Sequence, residues 1–204
     1  SNIEAWGAMG RAAGAWLQIC AREPGLNEPT TKMTNISTQT ELESRIAQRE
    51  AVVVVVGLGY VGLPLATVFA SDGFDVIGID TDPGRVAAIN SGVSYIQDVP
   101  SALLAELTDD DKNAESTVGN LIATTDYANI ADAHVVLICV PTPLGKTRDP
   151  DLSYIVSAAN SISLYLNRGM LVVLESTTYP GSTEELVLPQ LLKHAPENFT
   201  VGED

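Results

Sequence analysis

The sequence has few residues that could form covalent or metal-bound cross-links. Its two cysteines, Cys20 and Cys139, stand far apart and form no Cys-x-x-Cys pattern. This spacing indicates neither a disulfide framework nor a zinc site, and it favours a reducing, cytoplasmic setting. The two histidines, His134 and His194, are expected to be structural or on the surface. No Ser-His-Asp arrangement, metal cluster or pair of carboxylates at helical spacing is found.

Basic residues are also scarce. Eleven Lys and Arg stand against 26 Asp and Glu, which leaves a formal net charge of −15 and a pI near 4.3. Binding to nucleic acid or to an anionic membrane requires a basic surface, so neither is expected as a partner. A dinucleotide is not excluded, because backbone amides and a helix N-terminus can hold a pyrophosphate without Lys or Arg.

Long apolar runs are missing as well. The most apolar early stretch, 5–21, contains Arg11 and three glycines, so it is a poor membrane span. The chain opens with Ser1 and has no basic n-region, so no secretion signal is expected. Residues 1–32 are interpreted as an extension left from cloning or from read-through of an early start codon, with Met33 as the natural start. An oligomerisation helix over 5–21 is the alternative.

Apolar residues themselves are plentiful. They make up 45% of the 204 residues, and the mean hydropathy is +0.13. This suffices for a sizeable core and excludes a wholly disordered chain. A chain of this length holds one domain of nucleotide-binding size but not a two-domain enzyme. Residues 33–204 are therefore expected to form that domain.

Short apolar strands alternate with helices along this domain. The segment 51–56 contains five consecutive valines, which only a strand covered on both faces can satisfy. Repeated alternation implies right-handed crossovers and an α/β fold with a doubly wound, mostly parallel sheet of the Rossmann type. The predicted helices cover 41–48, 61–71, 83–91, 101–107, 127–131 and 151–167, and the predicted strands cover 51–56, 75–80, 121–124, 134–140 and 170–174.

A last helix is predicted to begin near Ser182. Ser182 and Glu185 have the spacing of a capping box, and Pro189 is expected to kink the helix or end it early. Asp151 is expected to cap the preceding helix, and Gly169 to follow its C-terminus. The acidic run 109–111 is expected to be a solvated loop.

A glycine-rich loop follows the valine strand and opens a helix. In the dinucleotide-binding fold the first glycine permits the tight turn, the second lets the backbone approach the pyrophosphate, and the third allows close packing of helix on strand. The loop therefore predicts a dinucleotide site, with a structural glycine turn or another adenosine cofactor such as FAD as alternatives. It reads Gly57-Leu58-Gly59-Tyr60-Val61-Gly62.

An acidic residue, Asp80, ends the next predicted strand. A carboxylate at this place accepts hydrogen bonds from the adenosine ribose hydroxyls, and it would repel a ribose 2′-phosphate. NAD is therefore favoured over NADP. Arg85 weakens that preference, because a nearby basic group can accommodate the phosphate; framing the adenine and remaining solvated are its other interpretations.

Two further loops follow strands at the same edge of the predicted sheet, where ligands bind in open α/β sheets. The first reads Cys139-Val140-Pro141-Thr142-Pro143. Its prolines stiffen the loop, so Thr142 is a candidate cofactor contact, whereas Cys139 is expected to be a buried inert thiol. The second reads Glu175-Ser176-Thr177-Thr178-Tyr179-Pro180-Gly181. Its hydroxyls are either functional or serve only to cap the next helix.

Together these motifs resemble a known family, the nucleotide-sugar 6-dehydrogenases, which includes UDP-glucose, GDP-mannose and UDP-N-acetylhexosamine enzymes. The similarity runs from about Glu41 to the last residue, and it looks most like the UDP-N-acetylglucosamine 6-dehydrogenase branch. The segments that carry it are Val56–Leu65, Gly78–Asp80 with Arg85, Tyr95–Asp98, Val140–Pro143 and Glu175–Gly181.

The resemblance implies an NAD-dependent, two-step oxidation of the sugar C6 hydroxyl to a carboxylate, with two NAD used per sugar. It implies that Gly57 to Gly62 hold the pyrophosphate and that Asp80 and Arg85 hold the adenosine. Thr177 corresponds to a family threonine that positions a catalytic water or the reacting oxygen. It implies that Val140, Pro141, Thr142, Pro143 and Leu144 hold the cofactor near its nicotinamide half. Ser176 and Thr177 are expected to bind the cofactor as well.

The family pattern also includes a downstream Glu, a Lys and Asn pair, a nucleophilic Cys with an Asp, a dimerising central helix and a UDP-binding domain. These would lie beyond Asp204 in the usual order. The chain is therefore expected to be an N-terminal cofactor domain, inactive alone, of a homodimeric or larger parent that acts on a UDP-sugar.

Several alternatives stay open from the sequence. UDP-N-acetylglucosamine is the expected substrate, and UDP-glucose, UDP-N-acetylmannosamine and GDP-mannose are the others considered. A stand-alone, non-enzymatic dinucleotide-binding module is a different class of function. A 2-hydroxyacid or hydroxyacyl dehydrogenase shares the glycine loop, but it does not predict the motifs at 140–143 and 175–180 together.

Overall fold

The computed structural model describes residues 38–109, 118–144, 150–195 and 197–203. All of them belong to one of the two units into which the chain divides, Ile36–Asp204. In chain order the elements are α1 (Thr38–Gln48), β1 (Val53–Val56), α2 (Gly62–Ser71), β2 (Val76–Ile79), α3 (Pro83–Asn90), α4 (Ser101–Leu107), β3 (Leu121–Thr124), a 3-10 helix (Tyr127–Asp132), β4 (Val135–Ile138), α5 (Ser153–Ser163), β5 (Leu171–Leu174), a π-helical turn (Thr183–Val187), α6 (Leu188–Leu191) and a final 3-10 turn (Leu192–His194).

The five strands form one parallel sheet in the order β3-β2-β1-β4-β5. The valine strand β1 lies at the centre, where Val53 is opposite Val76 of β2 on one side and Val135 of β4 on the other. The chain proceeds outward through β2 and β3, and then returns past β1 to β4. This order confirms the predicted doubly wound sheet, and it creates a crevice outside the carboxyl ends of β1 and β4, where ligands bind in such folds.

Alternate valines of β1 enter two separate cores. Val53 and Val55 pack on one face with residues of α2, α3 and α4. Val54 and Val56 pack on the other face with α5, the first 3-10 helix and α6. All four side chains are at most 1% exposed. Because both faces are covered, every position of the strand has to be apolar, which explains the run of valines.

The predicted helix over 151–167 is shorter in the structure and ends at Ser163. Asp151 Oδ1 accepts a 3.0 Å hydrogen bond from the Ser153 N–H, which confirms Asp151 as a cap. At the other end the prediction is wrong, because Asn167 has left the helix and donates its side-chain N–H to the Ala131 carbonyl at 2.8 Å. Gly169, with φ of +78°, lies in the turn before β5 rather than at the helix end.

The predicted capping box at Ser182 is also wrong. The Ser182 hydroxyl donates to the Tyr179 carbonyl at 2.7 Å and makes no cap bond to the helix that follows. That helix begins with π geometry and changes to α geometry at Leu188. Pro189 is the second residue of α6, where its missing N–H is tolerated, and α6 ends two residues later at Leu191.

Some expectations fall on residues outside the described ranges. These include the extension over 1–32, the start at Met33 and most of the acidic run 109–111. Within the described part of the chain, no helix combines the length and the apolar character that a membrane span requires.

Candidate functional site

A cavity of about 460 Å³ opens at the carboxyl edge of the sheet. Its walls include the last residues of β1 and β2, Val56 and Ile79, and the loops that follow β1, β2, β4 and β5. The cavity therefore occupies the crevice where the strand order reverses. Its volume is in the usual range of small-molecule sites.

The first and third glycines of the loop after β1 are required by the fold. Gly57 has φ of +94°, and a Cβ built there would lie 2.7 Å from the Cys139 carbonyl oxygen. A Cβ at Gly62 would overlap with the carbonyl oxygen of Gly57. Both obstructing atoms belong to the main chain and cannot rotate away. Glycine at these positions lets the chain turn sharply from β1 into α2 while it passes close to the end of β4.

The second glycine, Gly59, is different. A Cβ built there would meet no atom within 4 Å, so the fold itself does not require glycine at this position. Gly59 lines the cavity, and a side chain there would occupy the space in front of the loop. The loop backbone is thus open to close approach by a ligand, as a pyrophosphate requires.

The Asp80 side chain joins this loop to the end of β2. Asp80 is 7% exposed. Its Oδ2 accepts a 2.9 Å hydrogen bond from the Leu58 N–H, and its Oδ1 accepts one of 2.9 Å from the Asp82 N–H. Each carboxylate oxygen can accept more than one hydrogen bond, so Asp80, which lines the cavity, retains acceptor capacity for ligand hydroxyls.

Arg85, in the first turn of α3, lies beside this carboxylate. Its Nη1 is 3.3 Å from Asp80 Oδ2, and its Nε is 3.7 Å from Asp82 Oδ2. The guanidinium carbon lies 5.7 Å from the centre of the Tyr95 ring. Arg85 also lines the cavity with a side chain that is 46% exposed. It is therefore oriented by its neighbours and still accessible to a ligand.

The Tyr95 hydroxyl donates a 2.6 Å hydrogen bond to the Leu58 carbonyl oxygen. Burial, followed by the negative charge of Asp80, raises the pKa of Tyr95 to about 12. The phenol is thus protonated and able to donate at any ordinary pH.

The Leu58 side chain is fully buried beneath Gly78, where a Cβ would lie 2.8 Å from the leucine methyl groups.

The loops after β4 and β5 form the opposite wall. Ser176 Oγ donates to the Val140 carbonyl at 2.7 Å and so ties the two loops together. Thr142 and Thr177 line the cavity. Cys139 is buried, and burial, followed by the charge of Glu175, raises the pKa of its thiol to about 12. The expectation that Cys139 is buried is confirmed, and the raised pKa favours the protonated thiol over the reactive thiolate.

Most of the predicted site residues meet at this cavity, but three do not line it. Leu58 is buried under the loop, Gly62 is buried at the start of α2, and Pro143 lies on the surface beyond Thr142. The predicted residues that line the cavity are Gly57, Gly59, Tyr60, Val61, Asp80, Arg85, Val140, Pro141, Thr142, Ser176 and Thr177.

Further lining residues were missed in the sequence. Tyr127 follows β3 by three positions, and burial, followed by the charge of Asp80, raises the pKa of its phenol. Tyr154 and Ser157 lie three residues apart near the N-terminus of α5, and Glu175 directly follows β5. Their places at the carboxyl edge of the sheet were the available signal, since that edge is where ligands bind.

Positive charge at the cavity is limited. Of the described residues that line it, Arg85 is the single Lys or Arg. A bound diphosphate would therefore depend on main-chain N–H groups and on the N-terminus of α2. Within the described ranges no group of three or more His, Cys, Asp or Glu is placed to hold a metal ion. The open glycine loop and the acceptor at Asp80 together fit a dinucleotide.

Comparison with known proteins agrees with this geometry. Residues 51–202 match the family model for the NAD binding domain of the UDP-glucose/GDP-mannose dehydrogenase family. A UDP-N-acetyl-D-mannosamine dehydrogenase from Pyrococcus horikoshii is 39% identical over 164 residues, which cover 74% of this chain and 37% of that protein. A UDP-N-acetyl-D-glucosamine 6-dehydrogenase from Pseudomonas aeruginosa is 37% identical over 72% of this chain and 32% of that protein.

Solved structures give the same result. An NDP-N-acetyl-D-galactosaminuronic acid dehydrogenase from Methanosarcina mazei superposes with a TM-score of 0.66 at 28% identity, covering 80% of this chain and 35% of the other. A GDP-mannose dehydrogenase from Pseudomonas aeruginosa gives a TM-score of 0.60 at 32% identity, covering 68% and 31%. The chain thus spans about a third of the length of these relatives. It belongs to the UDP-glucose/GDP-mannose dehydrogenase family, and it contains that family's NAD binding domain.

Proposed function

We propose that this chain is the cofactor-binding part of a UDP-sugar 6-dehydrogenase, which oxidises the C6 hydroxyl of the sugar to a carboxylate in two NAD-dependent steps. The observation that carries the proposal is the cavity at the switch point of the sheet, where the open backbone at Gly59 and the buried carboxylate of Asp80 face the same space. NAD, when bound, supplies the hydride acceptor for each step.

Different residues of the cavity bind different parts of the dinucleotide. The loop from Gly57 to Gly62 holds the pyrophosphate with main-chain N–H groups. Asp80 accepts hydrogen bonds from the adenosine ribose, and Arg85 frames the adenine from the first turn of α3. The wall made by the loops after β4 and β5 receives the nicotinamide half, with Val140, Pro141, Thr142 and Ser176 as its contacts.

Thr177 is the residue of this chain proposed to act in catalysis. It is exposed and lines the cavity on the wall assigned to the nicotinamide half. A hydroxyl at this place can hold a water or the reacting oxygen by a hydrogen bond. Cys139 also lines the cavity, but we assign it no part in catalysis, because it is buried and burial raises the pKa of its thiol.

The proposed substrate is UDP-N-acetylglucosamine. Support comes from the sequence of the loop after β5 and from relatives of 33% to 39% identity whose names specify UDP-N-acetylhexosamines. The active protein would be a longer, homodimeric or larger chain that contains this domain. We place it in the cytoplasm, where NAD and nucleotide sugars are found and where a free thiol such as Cys139 stays reduced.

Cofactor binding is tested by calorimetric titration of the chain with NAD. Saturable binding with one NAD per chain is expected, and it should be lost in Gly59→Val. Asp72→Ala, which removes an exposed acid that is ion-paired with Arg49, is the matched control and should bind like wild type. A folded wild-type chain that does not bind NAD at millimolar concentration would overturn the assignment of the cavity.

Substrate oxidation is tested with a longer protein that contains this domain. NADH absorbance is followed with UDP-N-acetylglucosamine, UDP-N-acetylmannosamine, UDP-glucose and GDP-mannose as separate substrates. Two NADH per sugar are expected with the true substrate, and Thr177→Val should lower the turnover while leaving NAD binding nearly intact. Formation of a single NADH per sugar would contradict the four-electron oxidation.

A further inference from the structure

The Tyr95 side chain contacts the glycine loop from outside the cavity. Its hydroxyl is bonded to the Leu58 carbonyl, and Tyr95 is absent from the described residues that line the cavity. We infer that Tyr95 is a positioning residue that directs the Gly59 N–H toward the diphosphate of the bound dinucleotide. It acts through the peptide bond between Leu58 and Gly59 and does not touch the ligand.

The geometry of the peptide bond carries this inference. The peptide unit is planar and trans, so its C=O and its N–H point in opposite directions. With the Leu58 carbonyl directed at Tyr95, the Gly59 N–H has to point away from Tyr95. Gly59 lies on the cavity wall with open space in front of its backbone. The N–H is thereby presented where a phosphate oxygen would lie.

The peptide on the other side of Leu58 is fixed as well. Its N–H is held by Asp80 Oδ2 at 2.9 Å. Both main-chain polar groups of Leu58 are therefore hydrogen-bonded. Asp80, directly after β2, accepts from its N–H, and Tyr95, in the segment between α3 and α4, donates to its carbonyl. The buried Leu58 side chain prevents the residue from rotating as a unit.

The Tyr95 ring is itself held in place. The Arg85 guanidinium lies over it at 5.7 Å, and the same guanidinium is 3.3 Å from Asp80 Oδ2. Replacing Tyr95 with Phe would keep the ring and its contact with Arg85 while removing only the hydroxyl. The effect of this variant therefore reports the hydrogen bond to Leu58 alone.

The experiment compares three ligands in wild type and Tyr95→Phe, and it rests on the proposed binding of NAD at this cavity. NAD and ADP are titrated by calorimetry, and adenosine by the shifts of amide signals in NMR spectra. The dissociation constants for NAD and ADP should rise about fivefold to tenfold, as loss of one hydrogen bond predicts, while adenosine binding stays within about twofold. Tyr165→Phe, at a partly buried tyrosine packed against the core on the other face of the sheet, is the matched control.

The ligand comparison separates positioning from simple destabilisation, because a loosened domain would bind all three ligands less well. Equal weakening of adenosine, or unchanged binding of NAD by Tyr95→Phe, would overturn the inference and leave the proposed function intact. Failure of the wild-type chain to bind NAD would overturn both. Should Tyr95→Phe not fold, the wild-type chain decides: ADP must shift the Gly59 amide proton downfield, and an unmoved Gly59 signal would contradict the inference.

Discussion

Asp80 Oδ2 accepts a hydrogen bond from the Leu58 N–H at 2.9 Å, so a side chain at the end of β2 fixes the conformation of the loop that follows β1. The same carboxylate bonds the Asp82 N–H and pairs with Arg85. Asp80 therefore shapes the glycine loop from behind. The second function that we propose for it is to accept hydrogen bonds from a ligand in the cavity that it lines.

Both functions should be lost in Asp80→Ala. Removing the carboxylate leaves the buried Leu58 N–H without its acceptor, so the free energy of unfolding should fall by about 1 to 3 kcal/mol. NAD affinity should fall by roughly 1 to 3 kcal/mol as well, the scale of hydrogen bonds to a charged group. Urea denaturation and calorimetric titration measure the two quantities.

The exposed Asp72→Ala variant is again the control, since it removes the same charge far from the loop. It should change both quantities by less than about 1 kcal/mol, as expected for a surface ion pair. Unchanged NAD affinity in Asp80→Ala would remove this carboxylate from the ligand site and leave it with a structural role only.

The glycines of the loop should respond in opposite ways to the same substitution. Gly59→Ala meets open space, so the domain should keep its thermal stability while NAD binding weakens. Gly62→Ala places a methyl group against the Gly57 carbonyl oxygen, so the domain should lose several kcal/mol of stability or fail to fold. Circular dichroism melting curves and NAD titration of the two variants give the comparison. Equal loss of stability in both variants would mean that Gly59, too, is required by the fold.

The glycine loop and the alternation of strands and helices that implies a doubly wound parallel sheet could be predicted from the sequence, because both leave local patterns. Five consecutive valines require a doubly covered strand, and the spacing of Gly57, Gly59 and Gly62 defines a loop that opens a helix. The hydrogen bond from Tyr95 to the Leu58 carbonyl could not be predicted, because it joins segments that lie far apart in the chain. The capping box failed for a related reason: Ser182 has the right spacing, but its backbone is already helical, and the Glu185 N–H that it would cap donates to the Gly181 carbonyl instead.

Stability should decline in alkaline solution. Burial holds the pKa of Cys139 at about 12 against an ordinary value of 9.0, and that of Tyr95 at about 12 against 10.0. The folded chain keeps these protons at a pH where the unfolded chain has lost them. The contribution of these two protonated groups to the free energy of unfolding is therefore complete below about pH 9, and it is lost as the pH rises toward about 12.

The alkaline decline is measured by urea denaturation at several pH values from about 8 to about 11, in a Cys20→Ser background that leaves one thiol. Cys139→Ala should be less stable at neutral pH but should decline less steeply between about pH 9 and about pH 11, because the titrating thiol is gone. Equal slopes would show that the Cys139 thiol ionises as readily in the folded chain as in the unfolded one. Slow labelling of native Cys139 by iodoacetamide is the companion expectation.

Protonation of His134 should lower the stability of the domain in acidic solution. Its Nδ1 accepts a 3.0 Å hydrogen bond from the Val52 N–H, just before β1, which only the unprotonated nitrogen can do. Burial, followed by the positive charge of Arg45, lowers the pKa of His134 below its ordinary 6.5. The folded chain thus binds this proton less readily than the unfolded chain, so the stabilisation is present above about pH 6.5 and is lost as the pH falls through the lowered value.

His134→Asn tests this directly, because the Asn side-chain oxygen can take the place of Nδ1 as an acceptor without titrating. The unfolding free energy of wild type should fall more between about pH 7 and about pH 5 than that of His134→Asn. In wild type the Val52 amide signal should shift over the same pH range, since protonation of the ring breaks its hydrogen bond. A Val52 signal that stays constant while His134 titrates would show that the bond does not depend on the charge of the ring, and it would remove this residue as a source of acid sensitivity.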